Sequence, residues 1–479
     1  MLTEIKAIKV IGAFCLSAVT GVVHAEGLMD VYRLAEQRDP VYAAAQHERE
    51  AVYTLNRQAL GVLLPSIDFD ASATYLDQEI ESDPVEFPAP SYLPSFLTGG
   101  SSQIEQGGEV EDTDWSYGVK LRQPIFVAEA IARYGQAKRQ VSLADVQFSL
   151  AQQNLILRVA GAYFDVLLAD RQLGTAQAEK RAIEQQLAFA RRSFEVGTAS
   201  VNDINEAQAR FDLATANVLQ RINDLAIAER ELTRITGEPV GFLARFAEEL
   251  PLVGPEPNDL EVWLERGRVG SLLRTAQELG VEVAEKEIDA RQGARLPTLF
   301  FVAGYDVRRN NRPSLGGDVT STDTDTASIG VQLSVPLFRG GLLSAQVDEA
   351  AARYSQAKSQ LVDATRQAEL LTSQAFLELN NSIARVQALQ QALKSSQTAL
   401  ESTQIGRDVG IRTNVDVLNA LQQVFSSQRD LDSARYGYVL SRLNLQAAVG
   451  TLGVQDLQAV DVLLTETAPG DSDLLNLSE

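Results

Sequence analysis

Cysteine is almost missing from this 479-residue chain: the one copy, Cys15, lies in an apolar stretch close to the start. That stretch reads as a secretory signal, with Lys6 and Lys9 ahead of "VIGAFCLSAV" and the small-residue site "VHA" before Glu26. Cleavage is expected after Ala25. Phe14 is a poor residue before a lipidated cysteine, so a lipoprotein is not expected. The mature chain is then cysteine-free, which suits an exported protein held by size or assembly rather than by disulfides. Histidine is nearly as scarce. Of the two, His24 falls in the signal and His47 on a polar helix face. That argues against a His-based triad or a zinc set. No Walker or dinucleotide glycine pattern follows a strand. The pairs at 99–100, 107–108, 316–317 and 340–341 read as turns. No enzyme activity, cofactor or metal is expected.

Three further absences narrow the class. After the signal there is no apolar run of about 18 residues, hence no transmembrane helix. Positive charge is in deficit: the net charge is -22, and -23 once Lys6, Lys9 and Glu4 leave with the signal. Such a balance argues against nucleic-acid partners. Proline is absent from 125–238 and from 337–468. An acidic exported chain without a membrane helix is either soluble in the periplasm or part of a β-barrel.

What is present is a repeat. "YGVKLRQPIF" (117–126) corresponds to "IGVQLSVPLF" (329–338), 212 residues on, and Gly197 to Gly410 and "ITG" (235–237) to "AVG" (448–450), both at 213. "LPSIDFDASATYL" (64–76) and "LPTLFFVAGYDV" (296–307) form another pair. The chain reads as two copies of one unit: entry helix, strand, loop, strand, long helix, break, shorter helix. The first copy is assigned to 26–237 and the second to 263–450. Residues 238–262 link them, and 451–479 form a last segment and tail.

The proline-free stretches are rich in Ala, Gln, Leu, Arg and Glu, all good helix formers. Leu379, Ile383, Val386, Leu389, Leu393 and Leu400 keep close to a 3-4 alternation, the spacing of helices packed lengthwise. A helix from about Ala128 to Glu195 would be on the order of 100 Å long. Strands show period two. Trp115, Tyr117, Val119 and Leu121 oppose Ser116, Gly118, Lys120 and Arg122. Ile329, Val331, Leu333 and Val335 oppose Ser328, Gly330, Gln332 and Ser334, and Ile67, Phe69, Ala71 and Tyr75 oppose Asp68, Asp70, Ser72 and Thr74. The alternation suits a membrane barrel or a soluble sheet packed on a helix. The connecting segments 78–112 and 308–325, long, polar and rich in turn residues, favour outer loops of a barrel. Asp318, Asp323 and Asp325 lack the spacing of a calcium loop and read as solvated. Each strand is expected to span 9–12 residues. Four strands cannot close a barrel, and an open edge is not tolerated in lipid. Three chains would supply twelve.

The words "EGLMDVYRLAEQRDP", "QPIF", "AYFDVLLA", "FEVG", "VPLFRGG", "VGIRTNVDVLNA" and "GTLGVQDL", in this order and doubled, resemble the outer-membrane efflux family of the TolC type. The resemblance covers essentially the whole mature chain. It implies a mainly α fold with membrane β: a homotrimer with a 12-stranded outer-membrane barrel, continuous with a long periplasmic α-helical barrel. Around the middle of the helical barrel it implies an irregular belt from 238–262 and the segment after Gly450. It implies an exit duct for drugs and for type I protein secretion. Its partners would be a periplasmic membrane-fusion adaptor, an inner-membrane ABC or RND-type pump, and outer-membrane lipid.

In that family the helix breaks are periplasmic tips. The resemblance assigns the entrance constriction to Asp203, Arg407, Arg412, Asp416 and Asn419, and adaptor docking to Val196, Gly197, Thr198, Val409, Gly410 and Ile411. Asp203 and Arg412 would join neighbouring helices. Arg407 stands where the family has a tyrosine, with a charged bond to Asp203 as one consequence. Asn419 replaces an acid, leaving Asp416 alone in the ring. Without the resemblance the same acids read as solvated helix starts, and the glycines as helix stops. The rival functions are a periplasmic coiled-coil scaffold or adaptor and a passive porin.

Overall fold

A computed structural model describes residues 25–80, 108–246, 250–313 and 319–465. The expected signal segment up to residue 24, residues 81–107 and 314–318 of the expected outer loops, and the tail from 466 lie outside the described residues. The elements run α1 (Leu28–Arg38), α2 (Pro40–Gly61), β1 (Ser66–Ile80), β2 (Gly108–Phe126), α3 (Ala128–Glu195), α4 (Val201–Thr236) and β3 (Arg245–Phe246). They continue with α5 (Leu260–Gly270), α6 (Leu272–Gly293), β4 (Thr298–Pro313), β5 (Val319–Ser334), α7 (Leu342–Asp408), α8 (Asn414–Ala448), α9 (Val454–Asp461) and β6 (Leu464–Thr465).

The doubling is visible in the lengths. α1 and α5 have 11 residues each, α2 and α6 have 22, α3 and α7 have 68 and 67, and α4 and α8 have 36 and 35. α5, equal in length to α1, overlaps the end of the assigned linker 238–262 and the start of the assigned second copy. No described helix is long and apolar enough to cross a membrane.

The chain divides into two compact units. One holds Ala45–Leu150 and Leu272–Ala368. Its centre is a four-stranded antiparallel sheet in the order β1-β2-β4-β5. The register aligns Phe69 with Val119, Val119 with Tyr305 and Tyr305 with Ala327, so one face collects the apolar positions of all four strands. Many of those side chains are bare within the chain: Ile67 and Phe69 are each 68% exposed and Ile329 78%, whereas Val307 is buried. The opposite face is polar, with Lys120 Nζ 3.0 Å from Asp70 Oδ2 and the Ser72 and Ser116 hydroxyls 2.7 Å apart.

The strands are longer than the alternation suggested, 15 to 19 residues instead of 9–12. Residues 308–313 and 319–325, expected as loop, are strand. The hairpin register simply continues through polar, threonine-rich sequence such as "TSTDTDT" (320–326). Threonine fits a pleated surface whichever way it faces.

The other unit holds Met1–Ala44, Ala151–Ser271 and Glu369–Glu479. Its core is built from Leu28, Val31 and Tyr32 of α1 with Leu155, Ile156, Val159 and Tyr163 of α3, all nearly or fully buried. The Tyr163 hydroxyl donates to the Ala244 carbonyl at 2.7 Å, and Phe164 stacks on Phe246 at 5.4 Å between centroids. Burial raises the Tyr163 phenol far above its ordinary range. β3 and β6 pair antiparallel. The two segments expected to form a belt, 238–262 and the one after Gly450, therefore touch each other through these strands. The same unit contains both helix breaks.

Candidate functional site

Each break is a helix stop followed at once by a helix start. α3 ends with Thr198 N–H donating to the Ser193 carbonyl at 2.8 Å and Gly197 N–H to Phe194 at 2.9 Å. α7 ends the same way, Ile411 N–H to Gly406 and Gly410 N–H to Arg407, both 2.9 Å. This double bond pattern needs a left-handed residue after the cap. Gly197 (φ 80°) and Gly410 (φ 83°) supply it without the strain a Cβ would cause. A few residues later Ser200 and Thr413 restart the chain as N-caps of α4 and α8.

Both starts are reciprocal caps. The Asp203 carboxylate accepts from the Ser200 N–H at 2.8 Å and its hydroxyl at 2.9 Å, while Asp203 N–H donates back to Ser200 Oγ. Asp416 and Thr413 repeat this at 2.8 and 2.9 Å. The N–H and hydroxyl of Thr413, with Arg412 nearby, hold the Asp416 carboxyl below the ordinary carboxylate value. The pattern S-x-x-D and T-x-x-D was in the sequence, and it marks Ser200 and Thr413 as residues the motif reading passed over.

Within one chain the expected constriction residues are not gathered into a single network. Asp203 and Asp416 are occupied by their own caps, and Asp203 meets neither Arg407 nor Arg412 among the described residues. Arg412 lies across Gly406, where an added Cβ would come within 2.8 Å of its Cγ. Arg407, only 16% exposed, reaches back to α3: it donates to Gln186 at 2.9 Å, stacks over Phe189 at 4.4 Å, and pairs with Asp408 at 2.8 Å. Asn419 accepts from Arg210 of α4 at 3.2 Å, and Arg210 also donates to Gln422 at 2.5 Å and to Glu206 at 3.0 Å. Gln186, Phe189, Arg210 and Gln422 lie more than 200 residues from their partners, beyond the reach of any motif.

Apolar packing backs these contacts. Ile183, Leu187 and Ala190 of α3 form a cluster with Ala207 and Ala214 of α4 and with Leu418 of α8. Leu400 of α7 packs with Val417, Leu421, Val424 and Phe425 of α8, and Ala178 and Ala182 of α3 close over them. At the turns the residues expected to dock an adaptor stand free: Val196 is 75% exposed, Val409 67% and Ile411 79%. Gly197, Thr198 and Gly410 complete the same two turns.

The model of the family described as "Outer membrane efflux protein" matches residues 31–238 and 273–451. The outer membrane protein TolC of Vibrio cholerae serotype O1 is 29% identical over 446 residues, 93% of this chain and 95% of that one. The alkaline protease secretion protein AprF of Pseudomonas aeruginosa is 29% identical over 440 residues, 91% and 86% of the two chains. Among solved structures, the Campylobacter jejuni CmeC outer membrane channel superposes with a TM-score of 0.72 at 15% identity, covering 97% of this chain and 98% of that one.

Proposed function

The chain belongs to the outer membrane efflux protein family, and from that premise we propose a trimeric outer-membrane exit duct, extending into the periplasm, for drug efflux and type I protein secretion. The observation that carries the proposal is the four-stranded sheet with a bare apolar face and two edges, β1 and β5, that have no strand partner among the described residues. Lipid covers such a face, but it cannot satisfy the backbone groups of an edge. Closure by identical neighbours is the economical solution, and three chains reach twelve strands, above the eight of the smallest barrels.

The name of AprF supports the protein-secretion arm of the reading. Energy would come from an inner-membrane ABC or RND-type pump through a periplasmic adaptor seated on the apolar turns at Val196–Thr198 and Val409–Ile411. The duct carries out no reaction of its own. At the entrance, Asp203, Arg407, Arg412, Asp416 and Asn419 of three chains would meet as a ring that keeps the pore closed at rest. Asp416 is the acid each chain would contribute to the constriction.

The test is recovery of the full chain from detergent-extracted outer membrane, with crosslinking to a trimer, followed by planar-bilayer recording. A trimer of small conductance, raised by Arg412→Ala or Asp203→Ala, is the expected result. A soluble monomeric product refutes the duct, and a pore already wide at rest refutes the gate.

A further inference from the structure

Glu26, the residue that cleavage after Ala25 would leave first, is tied into the fold by both backbone groups and by its side chain. Its N–H donates to the Phe242 carbonyl at 2.7 Å. Its carbonyl accepts from Ala244 N–H at 3.1 Å and from the Tyr163 hydroxyl at 3.2 Å. Its Oε1 accepts from Gly241 N–H at 3.3 Å, and a parallel bridge joins it to Leu243. The residues that follow are held as closely. Gly27 caps α1, its carbonyl accepting from Asp30 and Val31 N–H, both at 3.2 Å. Asp461 Oδ1 accepts from Met29 N–H at 3.2 Å, and a Cβ at Gly27 would come within 2.8 Å of the same oxygen. The junction residue is thus buttoned to segments far away in the chain, 241–244 and α3.

We propose that the docking of Glu26 and the removal of the signal exclude each other, so that the Ala25–Glu26 bond must be hydrolysed before 241–244 closes over it. A peptidase takes its substrate extended and grips it through backbone N–H and C=O groups. Within a folded protein it cuts only what local opening releases. In the folded chain neither backbone group of Glu26 is free. Hydrolysis by the signal peptidase of the export route adds one water. The water oxygen stays on the Ala25 carbonyl, which departs with the signal as a carboxylate, and the two protons turn the Glu26 N–H into an α-ammonium. Its bond to the Phe242 carbonyl then becomes charge-assisted, about twice as strong as a neutral one. Cleavage strengthens the very contact that, formed too early, prevents it. The proposal rests on export with cleavage after Ala25 and does not need the duct.

The test combines the full-length precursor folded in detergent, a purified signal peptidase, and mass spectrometry of the products. The mature chain should begin at Glu26, and a start at any other residue overturns the proposal. Folded precursor should be cut about a hundredfold more slowly than precursor diluted from urea straight into the peptidase, as expected for several bonds that open together. Tyr163→Phe keeps the ring and loses the hydroxyl that reaches Glu26 and Ala244, so it should speed cutting of the folded form by about tenfold. A short Gly/Ser insertion after Ala25 carries the scissile bond clear of Glu26 and should restore the rate of the unfolded precursor. Equal rates for folded and unfolded wild type overturn the exclusion. An insertion variant cut as slowly as the wild type also overturns it, because something other than Glu26 then shields the bond. In the mature protein an amine-selective acylating reagent should label the α-amine about tenfold more slowly than in the insertion variant. Equal labelling overturns the docked ammonium.

Discussion

Asp39 and Arg158 are joined by a 2.6 Å contact between Oδ2 and Nη2, with the carboxylate side chain 1% exposed and the guanidinium 28%. The same Asp39 oxygen accepts from Tyr42 N–H at 2.8 Å, so it also starts α2, whose first residue is Pro40. Burial alone would raise this carboxyl. The bonds from Arg158 and Tyr42 outweigh it and hold the group below the ordinary carboxylate value.

Arg158→Ala should therefore cost more stability than Asp39→Ala. The first leaves a buried carboxylate without its cation, about 3–5 kcal/mol. The second costs about 1–2 kcal/mol for the lost cap, because Arg158 can turn its head to water. Chemical denaturation of the full-length protein measures both, and the reverse order would refute the argument. The sign with pH follows from the depressed value. Asp39 contributes stability above its unfolded pKa and loses it as pH falls through the lower folded one. Arg158→Ala should flatten this acid limb.

The paired caps give a second prediction. Ser200→Ala and Thr413→Ala should each destabilise the tip by about 1 kcal/mol, read as faster hydrogen exchange in the first turns of α4 and α8. Asp416 has a depressed carboxyl, so its cap holds above the ordinary carboxylate range and weakens as pH falls below it. Acid should therefore speed exchange at 413–416 beyond the solvent effect, and Asp416→Asn should abolish that excess. An equal acid response in the variant would sink the assignment.

These caps also show where reading the sequence succeeds and where it stops. Local rules located the helix from Ala128 to Glu195, the glycine breaks and the doubled unit, because propensity, proline and periodicity act over a few residues. Strand ends past Arg308 and before Asp325 were lost because polar residues there carry no burial period, although pairing continues. The contact of Arg210 with Asn419 spans 209 residues and depends on how two hairpins pack. Position alone sets Asn419 where the resembled family has an acid, and within the folded chain it also accepts from Arg210, a contact no local rule could supply.

The bare face of the sheet yields a third prediction. Val331 of β5, 62% exposed, sits opposite Phe301 near the C-terminal end of the strand. If that face meets lipid, Val331→Arg should cost up to about 2–4 kcal/mol, depending on its depth, and lower the yield of assembled trimer in the outer membrane. Gln332→Arg, one residue on and facing the other way, should be tolerated. Equal tolerance of both would place the apolar face against protein or water instead.

A fourth prediction concerns Asp432 in α8, buried at 3% exposure with Gln428 Nε2 3.1 Å from each of its oxygens. Burial pushes its carboxyl above the ordinary value, and the Gln428 bond and the charges of Arg171 and Arg435 only partly oppose this. An acid raised on folding is a liability when ionised: the penalty is present above the folded pKa and vanishes as pH drops below the unfolded one. Asp432→Asn keeps an oxygen for Gln428 and removes the buried charge. At pH 8 the variant should melt about 1–3 °C above the wild type, and the gap should narrow as pH falls and close only below about 4. A variant less stable by the same margin at both pH values would mean that Arg171 and Arg435 require the carboxylate, and that burial does not govern this position.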